Sequence, residues 1–217
     1  MSASAAATSV AAPVEAAPAS ARYKWTLGLA AAAIQSLAYF GIGHLHLTRS
    51  TELLRTRLDD AIPFWTWTSW CYMPFYAAIF IICIVAFRNR FLFNRALGAV
   101  GLVMVIGALG HIFIAAEYPR PVLHAPYDSL SSALLGAVQR IDPPGNVFPS
   151  LHVAQTSSLA FILCRDRKTI GRITVVMGAM LALSTLTTKQ HFIADVVSGY
   201  ALAFVGRAFA LRDLPSR

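Results

Sequence analysis

Charge is what this chain has least of. Only 13% of its 217 residues are charged, against about a quarter in an average soluble domain. By contrast 57% are hydrophobic, and the mean hydropathy is +0.59. That balance excludes a water-soluble globular domain and indicates an integral membrane protein. Cysteine is also scarce. Cys71, Cys83 and Cys164 lie scattered in or at the ends of apolar runs. They provide neither a disulfide framework nor a metal-ligand spacing, and they read as inert buried thiols. Acidic residues number 10 against 18 Lys and Arg, a net charge of +8. The basic residues form short clusters between apolar runs, so the excess fits the positive-inside rule and not a nucleic-acid surface. Residues 1–22 are mostly Ala, Ser and Pro and bury little, so a disordered N-terminal tail is expected there. This stretch has no basic start of a secretory signal, so no cleavage is expected.

Six stretches approach the ~20 apolar residues that a bilayer-spanning helix needs. They run over residues 24–44, 66–87, 96–116, 149–164, 173–188 and 191–211. The expected fold is an all-α, six-transmembrane-helix bundle over residues 23–212, followed by a short tail, 213–217. Arg22 and Lys24, then Arg88, Arg90 and Arg95, then Arg165, Arg167, Lys168 and Arg172, and finally Arg212 and Arg217 all fall on one side of that bundle. Short basic connections mark the cytoplasmic side. The expected protein is therefore a multi-pass cell-membrane protein with cytoplasmic termini. Its outer loops carry balanced charge, with Arg49, Arg55 and Arg57 set against Glu52, Asp59 and Asp60. Each should hold a short interfacial helix. In the first, Leu54, Leu58, Ala61 and Ile62 share a face before Pro63. In the second, Asp128 or Ser129 caps a helix presenting Leu130, Leu134, Val138 and Ile141. Trp65, Trp67 and Trp70 occupy an aromatic-belt position.

Three polar motifs stand at the outer ends of these spans: Tyr118-Pro119-Arg120-Pro121, Pro149-Ser150-Leu151-His152, and Lys189-Gln190-His191-Phe192-Ile193-Ala194-Asp195. Pro149 suits the first position of a helix, whose unpaired N–H groups bind phosphate. Ser150 adds a hydroxyl there. His191 and Asp195, four apart, are expected on one helix face, where the carboxylate takes one ring N–H and leaves the other nitrogen a nucleophile or base. Alternatively this pair only ties helices together. Arg120, between prolines, suits bidentate phosphate contact or snorkelling to lipid phosphates. Lys189 offers a further cation. His111 reads as a packed histidine, and neither His124 nor Glu117 is a catalytic choice.

These motifs together resemble the type 2 phosphatidic acid phosphatase superfamily. Its signature is Lys, six residues, Arg-Pro; then Pro-Ser-Gly-His; then Ser-Arg, five residues, His, three residues, Asp. Arg120-Pro121 matches the first part, Pro149 to His152 the second, and Ser184, His191 and Asp195 the third. Phe113 stands in place of the lysine, Leu151 in place of the glycine and Thr185 in place of the arginine. Pro-Ser-Leu-His followed by Lys-Gln-His is similar to the branch containing inositol phosphorylceramide synthases. The resemblance implies a metal-independent, cofactor-free reaction on a lipid-linked phosphate. His191 would become a phosphohistidine, oriented by Asp195. His152 would act as acid and base, with Arg120, Lys189 and the helix start at Ser150 holding phosphoryl oxygens. The implied partners are a lipid phosphate, the bilayer, and water or an alcohol as acceptor, with no nucleic acid. The alternative reading is a catalytically lapsed relative acting as a membrane transporter or binding protein.

Overall fold

The computed structural model describes residues 18–45 and 47–214. Most of the expected N-terminal tail, residues 1–17, lies outside them, as do residues 215–217 of the expected C-terminal tail. Among the described residues the regular structure is helical: α1 (Ala21–Gly43), α2 (Arg57–Ala61), a 3-10 helix (Thr66–Cys71), α3 (Met73–Ala86), α4 (Arg90–Phe113), α5 (Leu130–Ile141), α6 (Leu151–Asp166), α7 (Lys168–Thr187) and α8 (Ile193–Leu211).

Starts are set by side-chain caps. Ser20, Asn89, Ser129 and Ser150 each accept a backbone N–H three residues on, opening α1, α4, α5 and α6. Pro74 stands in the first turn of α3, where its missing N–H costs nothing. Five helical segments are long and apolar enough to cross a membrane: Ala21–Gly43, Thr66–Ala86, Arg90–Phe113, Lys168–Thr187 and Ile193–Leu211. The expected fourth span corresponds to α6. At 16 residues it is shorter than the ~20 that crossing requires.

Helix α6 is the axis of the bundle. It packs on α3, α4, α7 and α8, and most of its residues are buried. Its buried hydroxyls turn back to backbone carbonyls. Thr156 Oγ1 donates to the His152 carbonyl at 2.6 Å, and Ser158 Oγ to the Ala203 carbonyl at 3.2 Å. Small residues let the neighbours approach closely, as membrane helices without a hydrophobic driving force require. A Cβ on Gly199 of α8 would stand 2.8 Å from the Ser150 carbonyl oxygen. That atom is backbone and cannot step aside. Gly199→Ala should therefore destabilise the protein by about 1–3 kcal/mol, visible as a lower thermal midpoint in detergent. An unchanged midpoint would mean that α8 has room to move.

Both expected loop helices exist, and the second opens at the expected Ser129 cap and runs Leu130–Ile141, with a different buried face. The first is the single turn α2, and its Leu58 is exposed. In α5 the buried residues are Ser132, Leu135, Gly136 and Val138, while Leu130 and Ile141 are exposed. Of the expected stripe only Val138 is buried. Helix α5 packs on the 3-10 helix, where Trp70 Nε1 donates to Ser131 Oγ at 3.1 Å. Trp65 and Trp67 stack with ring centroids 5.9 Å apart and stay exposed, as residues of an interfacial belt do.

Candidate active site

The ends of α1 and α4 and the starts of α3, α6 and α8 meet at one end of the bundle, and all three motifs lie there. Helix α7 ends in a reversal. Lys189 adopts φ 56°, the left-handed region that costs a non-glycine residue about 1–2 kcal/mol. The N–H groups of Gln190 and His191 both return to the Thr185 carbonyl, at 2.9 and 3.2 Å. This turn delivers His191 two residues ahead of α8. The expected shared helix face is therefore replaced by a pairing across a helix start. Asp195, in the first turn of α8, accepts the Phe192 N–H at 2.7 Å through Oδ2, and His191 Nδ1 lies 3.2 Å from the same oxygen. An ionised carboxylate only accepts, so the shared proton sits on Nδ1 and Nε2 keeps its lone pair. Both side chains are buried, and Asp195 Oδ1 has no hydrogen-bond partner among the described residues.

His152, in the first turn of α6, faces this pair with ring centroids 5.8 Å apart. Tyr76, Tyr72 and Tyr39 surround it at centroid distances of 4.9, 5.1 and 5.9 Å. The Tyr72 hydroxyl lies 3.4 Å from His152 Nδ1 and donates to Asp142 Oδ2 at 3.1 Å. The Tyr39 hydroxyl donates to Asp142 Oδ1. Arg120 completes the cluster. Its guanidinium donates to the Asp142 carbonyl at 2.6 Å and the Pro143 carbonyl at 3.3 Å, and it meets Asp142 Oδ2 at 3.4 Å. Burial raises the Asp142 carboxyl, but the His152 and Arg120 charges and the Tyr39 hydroxyl outweigh it and hold the group below its ordinary value.

The other expected residues are placed differently. Pro149 precedes the helix, and Ser150 is the cap. The fully buried Ser150 hydroxyl accepts the Val153 N–H at 3.5 Å, and its own N–H donates to the Asp195 carbonyl at 3.0 Å. The Leu151 and His152 N–H groups find no acceptor among the described residues, as a helix start leaves them. Lys189 turns toward the loop between α1 and the 3-10 helix, where its Nζ donates to the Asp59 carbonyl at 2.8 Å. Burial lowers its pKa, opposed by the Asp59 and Asp60 charges. Phe113, at the end of α4, is 80% exposed. The Ser184 and Thr185 hydroxyls are buried and spent on the Leu181 and Ala182 carbonyls. His111 is a packed histidine, with Nε2 3.2 Å from the Pro149 carbonyl.

Asp142 and the three tyrosines are the residues that reading the sequence missed. Tyr72 and Tyr76, four apart at the head of an apolar span, were the available signal. A cavity of about 480 Å³ opens on the far side of His152, between α1, α3, α5 and α6. Asp142, His152 and Tyr39 line its polar end, while Ala32, Ala77 and Phe80 line the apolar remainder. No group of three or more His, Cys, Asp or Glu among the described residues is arranged to hold a metal ion.

The sequence profile of the PAP2 superfamily matches residues 44–209, well over half of the chain. That stretch contains all three motifs. Neither the curated proteins nor the solved structures give a significant match.

Proposed function

The chain belongs to the PAP2 superfamily of phosphatase-type enzymes, and on that premise we propose that it moves the phosphoryl group of a lipid-linked phosphate through a phosphohistidine at His191. One observation carries the reading: two buried imidazoles face each other at 5.8 Å, and only one is backed by a carboxylate. His191 Nε2 attacks phosphorus, forming a P–N bond as the P–O bond to the lipid alcohol breaks. His152, given the proton beforehand, passes it to the leaving oxygen. In the second half, His152 takes the proton of water or an alcohol, whose oxygen displaces the His191 nitrogen. Asp195 holds the proton on Nδ1 and stabilises the charged ring. The open N–H groups of Leu151 and His152, with Arg120, offer donors to the phosphoryl oxygens.

The cavity beside His152 supports a lipid alcohol as leaving group or acceptor, because its walls are apolar away from the acid–base residue. With Phe113, Leu151 and Thr185 at the three departures from the signature and Lys189 beside His191, this favours the inositol phosphorylceramide synthase-like branch and transfer to an alcohol over simple hydrolysis. We place α6 as a sixth, short crossing. The site then opens on the outer face of the cell membrane, with the termini in the cytoplasm.

The test is a panel of lipid phosphates given to purified protein with and without added alcohols. A new phosphate ester of the added alcohol, with the lipid alcohol released, is the expected product. Free phosphate alone would make the protein a hydrolase, and neither product from folded protein would overturn the enzymatic reading.

A further inference from the structure

The loop between α1 and the 3-10 helix reaches each motif in turn. Ser50 pairs with the segment before Arg120: its N–H donates to the Ala115 carbonyl, and the Glu117 N–H donates to the Ser50 carbonyl, both at 2.9 Å. Arg49 donates to the carbonyl of Gly145, in the loop leading to Ser150 and His152. The third anchor is Asp59. Its Oδ1 accepts the Ile193 N–H at 2.7 Å, and its main-chain carbonyl accepts Lys189 Nζ at 2.8 Å. These two contacts grip the chain on either side of His191. The Trp65 N–H adds a bond to the Thr187 carbonyl at 2.9 Å.

Asp59 is itself held firmly. Its Oδ2 accepts the Thr56 N–H at 2.8 Å, closing a capping box on α2, and the residue is buried. A carboxylate at the first N–H of α8 also meets the positive end of that helix, where a negative charge is favoured. The contact adds a long-range anchor to the turn's own bonds, from the Gln190 and His191 N–H groups to the Thr185 carbonyl and from the Phe192 N–H to Asp195 Oδ2. Lys189 sits in an unfavourable left-handed conformation, and Phe192 offers no side-chain cap to α8.

We propose that Asp59 is a positioning residue for the reaction: a carboxylate lent by the loop between α1 and the 3-10 helix fixes the His191 turn, and that loop clasps the three motif segments into one geometry. Asp59 touches no reacting atom and acts through Ile193 and Lys189. This inference rests on His191 being the reacting group, as proposed above.

The test compares Asp59→Ala with Asp59→Asn, which keeps one acceptor oxygen for the Ile193 N–H. A shift of the reacting nitrogen by about 1 Å costs up to a hundredfold in rate. Asp59→Ala should lower kcat about tenfold to a hundredfold with KM changed less than about threefold, and Asp59→Asn should recover most of the loss. A second readout needs no turnover. Carbethoxylation of His191, followed by mass spectrometry, should speed up about threefold or more in Asp59→Ala and return toward the wild-type rate in Asp59→Asn. Loss of thermal stability with kcat and His191 reactivity unchanged would overturn the proposal and leave Asp59 purely structural. If no lipid phosphate turns over, the phosphoryl-transfer reading falls, and the carbethoxylation rates still decide the clasp.

Discussion

His191→Ala should lower phosphoryl turnover by about a thousandfold or more, the scale seen when an enzyme loses the nucleophile of a coupled set. The size follows from its role. In the proposed reaction the Nε2 lone pair forms the new bond to phosphorus. Water entering the vacated space would lack both the orientation and the charge stabilisation that Asp195 gives the imidazole. The substitution should leave the fold nearly intact, because the His191 side chain makes one hydrogen bond, to Asp195. Turnover measured on protein with an unchanged elution profile separates chemistry from folding. Retention of more than about a tenth of wild-type turnover would remove His191 from the nucleophile role.

Asp142→Ala should be the most damaging single change to stability at the site. The Asp142 carboxylate is the acceptor for the Tyr39 and Tyr72 hydroxyls and for Arg120, all in a nearly dry cluster. Removing one partner of a buried ion pair costs about 3–5 kcal/mol, because the other charge is left uncompensated. The thermal midpoint in detergent should fall by about 10 °C. Arg120→Ala added in the same chain should restore part of that loss, since no unpaired guanidinium remains. A double variant no more stable than Asp142→Ala would show that the pair carries no such coupling. The pH dependence has a definite sign. The folded carboxyl lies below its ordinary value, so its stabilisation is fully present above the unfolded pKa of about 3.9 and is lost only as pH falls through the lower, folded value. The gap in midpoint between wild type and Asp142→Ala should therefore hold between pH 7 and pH 5 and close only below about pH 4.

Much of this arrangement is legible in the sequence, for identifiable reasons. Apolar runs and their basic flanks locate α1, α3, α4, α7 and α8, because length and hydropathy are local properties. The three motifs announce His152, His191, Asp195 and Arg120, and the structure brings all four to one end of the bundle. Long-range partners were not legible. Asp142 finds Tyr39 and Tyr72 across separations of 103 and 70 residues, and Asp59 finds Ile193 across 134. Among the charged loop residues nothing marks these two as buried. Turn geometry was also hidden. A four-residue spacing suggests one helix face, yet the reversal at Lys189 places His191 outside α8. Pro149 looks like a helix start, yet the cap falls one residue later, because Ser150 supplies the acceptor. Lys189 reads as a phosphate ligand from its motif, whereas its amine is engaged by a loop that the motif does not contain.

The decisive measurement is chemical trapping. Purified protein is mixed for milliseconds to seconds with a lipid phosphate labelled in its phosphoryl group, quenched in alkali and digested. The peptide containing His191 should carry an acid-labile, base-stable phosphoryl group that disappears on adding an acceptor alcohol and is absent from His191→Ala. Turnover of the same lipid phosphate with no label on that peptide at any quench time would contradict a phosphohistidine at His191 and require direct transfer to the acceptor.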